Sequence, residues 1–187
     1  MRAQHAIPHA IISICSLVLL LACSGSGSAS VTGGVGRLDI QLTDAPIDLS
    51  SVKSVEVSIT GVLVYPGVEG MDDETGPPIV LMQYPQTFDL LTLTGGATTL
   101  LASGEVPAGF YQRIRMEVSS ASLTYLDGTT VDLKIESNKV DVPIPFQVEP
   151  GSDATIVLDF DAAASVQVNE TSSNQFILRP VVTPKQL

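Results

Sequence analysis

Asp159 and Asp161 stand two apart in Leu158-Asp159-Phe160-Asp161. On an extended strand both project from one face. Paired carboxylates are the machinery of glycosidic acid–base catalysis, but such sites stack sugars on aromatic rings, and the chain has no tryptophan. The pair therefore reads as structural or solvent-facing. Ser50-Ser51-Val52-Lys53 has the Ser-x-x-Lys spacing of penicillin-binding enzymes, in which a helix stacks the two side chains. Here Lys53 opens an alternating apolar run, and the companion Ser-Asp-Asn and Lys-Thr-Gly motifs are missing, so the match reads as chance. Asp72, Asp73 and Glu74 could offer oxygens to calcium, which takes six to eight. Their spacing is not that of a calcium loop, and residues 69–78 read as a solvated turn. Asn169-Glu170-Thr171 fits a glycosylation sequon and carries no weight here. The sequence predicts no metal ligands, no cofactor and no catalytic residues.

The residue that changes the inventory is Cys23. Residues 1–9 are mildly basic, with Arg2, His5 and His9, and residues 10–22 form an apolar run. That is the layout of a secretory signal, and the run is too short to span a bilayer. Its end, Leu20-Leu21-Ala22-Cys23, resembles the bacterial lipobox, whose cysteine receives lipid on its sulfur. The resemblance implies cleavage after residue 22 and anchoring of Cys23 by acyl chains, each buried CH₂ contributing about 0.8 kcal/mol. Ser24 is not aspartate. In the lipoproteins this segment resembles, an aspartate there favours the inner membrane, so the expected address is the outer membrane or cell surface.

Removing residues 1–22 takes away both histidines and Cys15. The remaining 165 residues have no histidine, no tryptophan and one cysteine, with 8 basic and 20 acidic side chains. Ser-His-Asp and Cys-His catalysis are then excluded, as are His/Cys zinc sites and internal disulfides. The full chain carries a formal net charge of -11, which repels nucleic acid. Carboxylates, hydroxyls, Lys, Arg and Tyr are what remain for chemistry.

The elements that position these residues follow a period of two. Residues 23–35 form the lipidated cysteine and a flexible Ser/Gly tether of roughly 20 Å. From Gly36 onward apolar residues alternate: Leu38, Ile40, Leu42; Val55, Val57, Ile59, then Val62 and Val64; Ile114, Met116, Val118. Asp127-Gly128 between Leu123/Tyr125 and Val131/Leu133 signals a hairpin. Further runs are 79–84, 140–148, 155–161 and 176–182, and Thr94–Ser103 reads as one helical turn or a loop. The pattern predicts an all-β fold, an antiparallel sandwich of about eight to nine strands with little helix. It forms one domain over residues 36–183, with 184–187 as a tail.

Leu42-Thr43-Asp44-Ala45-Pro46 is the most specific motif in this domain. With Asp89-Leu90-Leu91-Thr92-Leu93, Val106-Pro107-Ala108-Gly109-Phe110-Tyr111, Leu158-Asp159-Phe160-Asp161 and Leu178-Arg179-Pro180-Val181, it resembles the prokaryotic domain-of-unknown-function family 4382. The resemblance implies an exported β-sandwich, often lipid-anchored, with no assigned activity or catalytic residues. Where the family tends to a Pro-Ser-Gly turn, this chain has Asp141-Val142-Pro143-Ile144-Pro145. On the residues alone, Asp44 is suited to accept a backbone N–H two or three residues on, and Pro46 to end the strand.

The expected role is a non-catalytic binding or structural module of the cell envelope. It would be held to the membrane by its lipid and would meet an envelope protein or polysaccharide. The alternatives are a fibre or envelope-complex subunit assembled by β-strand addition, marked by a displaced strand at 176–182, and a carboxylate-dependent hydrolase. One finer expectation concerns Arg113 and Arg115, which share a strand face opposite Ile114 and Met116. They would pair with Asp159 and Asp161 across neighbouring strands, the rival being a calcium ion on the aspartates.

Overall fold

One long bent ribbon organises the chain. The computed structural model describes residues 33–44, 51–71, 74–169 and 175–185. Among them are thirteen strands: β1 (Val35–Thr43), β2 (Val52–Pro66), β3 (Ile79–Met82), β4 (Gln86–Asp89), β5 (Thr99–Pro107), β6 (Gly109–Tyr125), β7 (Thr130–Asp132), β8 (Lys134–Ile135), β9 (Lys139–Val148), β10 (Asp153–Phe160), β11 (Val166–Asn169), β12 (Gln175–Leu178) and β13 (Val182–Lys185). A 3-10 segment (Leu90–Gly96) and a one-turn helix, α1 (Ala162–Ser165), complete the set.

The ribbon is β2 against β6, antiparallel from Val52↔Tyr125 to Pro66↔Tyr111. Its buried positions change parity partway. On β2 they run Val55, Val57, Ile59, then Val62 and Val64; on β6 they run Ile114, Met116, Val118, then Ala121 and Leu123. Each strand takes one three-residue step, and the register shifts between Ser58 and Gly61. A bulge inserts a residue and bends the strand. Here the paired irregularities keep the apolar set on one face along the whole ribbon, which a single slip would reverse. The Thr60 hydroxyl donates to Glu117 O at 3.2 Å and the Ser119 hydroxyl to Ser58 O at 3.3 Å, so side chains cover carbonyls at the irregular point.

A ribbon of this length outruns any single neighbour. β3 and β4 both line β2, and β7 and β9 both line β6. The second sheet runs β13-β10-β1-β5, and a small third sheet runs β11-β12-β8. The result is sandwich-like and all-β. Most ladders are antiparallel, but the central β1–β10 pair and the β12–β8 pair are parallel. Leu38, Ile40 and Leu42 of β1 and Leu158 and Phe160 of β10, all fully buried, form one core with the inner face of the ribbon. Full burial of each such side chain contributes about 1.5–3 kcal/mol.

Two local expectations are corrected. Thr94–Ser103 is neither a helical turn nor a simple loop: the 3-10 segment ends at Gly96 and β5 starts at Thr99. A register shift against Ile40/Gln41 buries Leu101 and Ala102 in succession, which erases the period of two. The run 176–182 divides into β12 and part of β13, which belong to different sheets. The run 140–148 is borne out as β9, so Asp141–Pro145 lies within a strand that pairs with β6, where the family tends to a turn; prolines are tolerated on such an edge strand. The expected leader at 1–22, Cys23, most of the expected tether, Pro46, Ser50, Asp72, Asp73 and the side chain of Asn169 lie outside the described residues. Among the described residues no helix is long and apolar enough to cross a membrane.

Candidate functional site

The parallel ladder brings the ends of β1 and β10 together, with Thr43 opposite Asp159. Asp44, only 2% exposed, follows at once. Its Oδ1 accepts from the Ala162 N–H at 2.9 Å, at the start of α1. Its own N–H donates to Leu93 O at 3.3 Å. Asp161 is the N-cap of the same helix and accepts from the Ala164 N–H at 2.8 Å. Helix starts leave N–H groups without helical partners, and burial makes that costly; two aspartates from distant parts of the chain supply the acceptors here. The fully buried Ser165 extends the joint. Its hydroxyl donates to Asp161 O at 2.5 Å and accepts from the Val181 N–H at 2.8 Å. The Arg179 N–H donates to Ser165 O at 2.8 Å, and the Asp161 N–H to Val181 O at 2.9 Å. The Thr43 hydroxyl reaches Ala97 O at 2.7 Å and Leu93 O at 3.2 Å. The corner thus joins β1, the 3-10 segment, α1 and the lead into β13.

Asp161 therefore lies beyond the end of β10 and does not share a strand face with Asp159. Asp159 lies between Thr43 and Thr183 in the ladders, and its Oδ1 is buried without a hydrogen-bond partner among the described residues. Among the described residues no group of three His, Cys, Asp or Glu side chains is placed to hold a metal ion. Asp44 spans the fold to Ala162; the residues two and three beyond it, toward which a local turn would point, are outside the described set.

The expected pairing of Arg113 and Arg115 with Asp159 and Asp161 is incorrect. β6 and β10 belong to different sheets. The partners come instead from β9 and the loop after β2. Arg115 stands opposite Asp141 and holds it with two bonds, Nε to Oδ1 at 2.7 Å and a terminal nitrogen to Oδ2 at 2.9 Å. Arg113 pairs with Glu74 and lies 3.6 Å from Asp141. Tyr65 is opposite Arg113 on β2, and the two guanidinium carbons sit 4.0 and 5.1 Å from its ring centroid. This stack leaves Tyr65 only 5% exposed on an outward-facing position. The Arg115 hydrogen bonds hold the Asp141 carboxyl below the usual carboxylate range, against a smaller opposing effect of burial.

Beside the stack lies an open cleft of about 500 Å³, with Met71, Glu74, Phe110, Arg113, Pro143 and Pro145 in its walls. A neighbouring hollow shares Phe110 and Pro145 with it, so the two form one groove along the outer side of the large sheet. The sequence marked Arg113 and Arg115 as a charged face but not their partners. Tyr65, Glu74 and Asp141 are brought to them only by the β2–β6–β9 register and the 67–78 loop.

Neither a curated protein nor a solved structure matches the chain. A family model does match, over residues 35–180, and so covers the corner, the ribbon and the groove alike. By that match the chain belongs to the family described as a domain of unknown function, DUF4382.

Proposed function

We propose that this chain is an exported bacterial lipoprotein, held at the outer membrane or cell surface through Cys23, whose domain is a non-catalytic binding or structural module. The apolar run ending Leu20-Leu21-Ala22-Cys23 before a Ser/Gly tether supports the anchor. The observation that carries the binding role is the groove on the outer side of the large sheet, where apolar Met71, Phe110 and Pro145 meet the Arg113–Glu74 pair. A mixed lining of this kind suits recognition of an envelope component. Catalysis fares less well as a reading. Asp44 and Asp161 serve as helix caps, and Asp141 is engaged by Arg115.

Strand addition is disfavoured at three of the sheet edges. β9 carries Pro143 and Pro145, β13 carries Pro184 and Lys185, and β5 is bulged. Each device discourages an added strand. β12 is paired on both sides, with Ile177 and Leu178 buried. The groove is tested by crosslinking in intact envelope. Met71→Asp, at a position 60% exposed, should abolish the crosslinked species, whereas Val80→Asp, at one 50% exposed and outside the groove lining, should retain it. Equal crosslinking in both variants contradicts the groove.

A further inference from the structure

The large sheet is interrupted along its β6 side. β7 pairs with Ser122–Thr124 of β6, and β9 pairs with it from Gly109 to Glu117. Between these ladders no described strand lies beside Ser119 and Ser120 on that side. The break is bounded by the Val118 N–H donating to Asn138 O at 2.8 Å and the Leu133 N–H donating to Ala121 O at 2.9 Å. The irregularity in β6 leaves Ser119 and Ser120 both exposed, where regular alternation would bury one of them. The break opens a pocket of about 430 Å³, with Ser119, Ser120, Asp132 and Asn138 around it and Leu133 and Ile135 among its apolar lining.

We propose that this gap is a binding site for a neutral saccharide. The proposal rests on the reading of the chain as a binding module, but on residues separate from the groove. Among the described residues no hydrogen bond occupies the side chains of Ser120, Asp132 or Asn138. Together they offer a hydroxyl, a carboxylate and an amide. A sugar hydroxyl donates and accepts at once, which matches a carboxylate beside an amide and a hydroxyl. The other ligand classes fit worse. A hard cation wants six to eight oxygens and usually several carboxylates, and the pocket has one, Asp132. An anion meets that carboxylate and a chain of net charge -11. A purely apolar ligand would desolvate the polar mouth without replacing its hydrogen bonds. The C–H face of a sugar ring can lie on Ile135, which is half-buried. No aromatic ring lines the pocket and it is open, so binding is weak, in the millimolar range.

The test is a titration of the isotopically labelled chain with maltotriose and, separately, with N,N′-diacetylchitobiose, read by amide chemical shifts. At least one probe should move the amides of residues 118–121 and 132–138 and saturate in the millimolar range. Asp132→Ala/Asn138→Ala, at two exposed positions, should lose these shifts while keeping the wild-type melting temperature. Met71→Asp, which alters the groove alone, should keep them. Silence of these amides with both saccharides, or shifts that survive in the double variant, would overturn the proposal. Either result leaves the groove standing, because the groove is read by crosslinking at Met71.

Discussion

Replacing Asp44 by Ala removes the acceptor for the Ala162 N–H at a site where both residues are buried, 2% and 0% exposed. Stranding a buried donor costs about 1–3 kcal/mol, and losing a helix cap typically costs about 0.5–2 kcal/mol. The first range centres on about 2 kcal/mol and the second on about 1.25 kcal/mol. For a domain of this size each kcal/mol moves the melting temperature by about 2–4 °C, so a fall of about 3–8 °C is expected. Asp44→Asn keeps an amide oxygen in the same place and should lose less than half as much. The damage should also be local. Ala162 and Val181 are tied into the corner that Asp44 closes, so their amides should lose hydrogen-exchange protection, whereas Val57 and Val118 in the ribbon should not. Thermal melts and exchange on the purified chain measure both. An Asp44→Ala variant that melts like wild type would refute the reasoning. Equal losses from Ala and Asn would show that the charge matters rather than the acceptor.

Two further outcomes follow from the sheets. Arg115 depresses the folded-state value of Asp141, so the stabilisation from this pair is complete above the ordinary aspartate value of about 3.9 and is lost as pH falls through the lower folded value. The Asp141 side chain is 38% exposed, which limits the effect to about 0.2–1 kcal/mol; Asp141→Asn should flatten the acid limb of the stability profile by that amount, measured by urea unfolding at stepped pH. Gly36→Ala should cost about 1–3 kcal/mol, because its new Cβ would meet Glu149 O and Val148 Cγ1 at 2.6 Å. Gly61→Ala should cost less, because its Cβ would meet only the movable Glu117 side chain, at 2.8 Å; paired thermal melts check the order.

The all-β class was legible because alternation in the long strands is set by one buried face. Even the bulge left a trace, in the three-residue steps from Ile59 to Val62 and from Val118 to Ala121. β5 was illegible for the opposite reason: its bulge buries Leu101 and Ala102 in succession. The parallel β1–β10 pair has no local signature, since nothing near Leu42 announces Leu158 as its neighbour. The same limit governs the sites. Asp44 stood out by its motif, but its partner is 118 residues away. Arg113 and Arg115 stand out by alternation, yet alternation names a face and not the strand beside it: of the two aspartates expected opposite them, Asp159 lies in the other sheet and Asp161 caps α1. Asp-Phe-Asp alternates and so predicts a strand position for Asp161, whereas the three alanines that follow start a helix turn that needs a cap.

Anchoring of the domain through lipid on Cys23 is tested most directly by the intact mass of the chain extracted from membranes of its native host. The expected species begins at Cys23, lacks residues 1–22 and carries the added mass of acyl chains on that residue. Cys23→Ala should abolish this species and leave an uncleaved or soluble form. A membrane-bound chain of normal processed mass in the Cys23→Ala variant, or a wild-type chain cleaved elsewhere with Cys23 unmodified or absent, would contradict it.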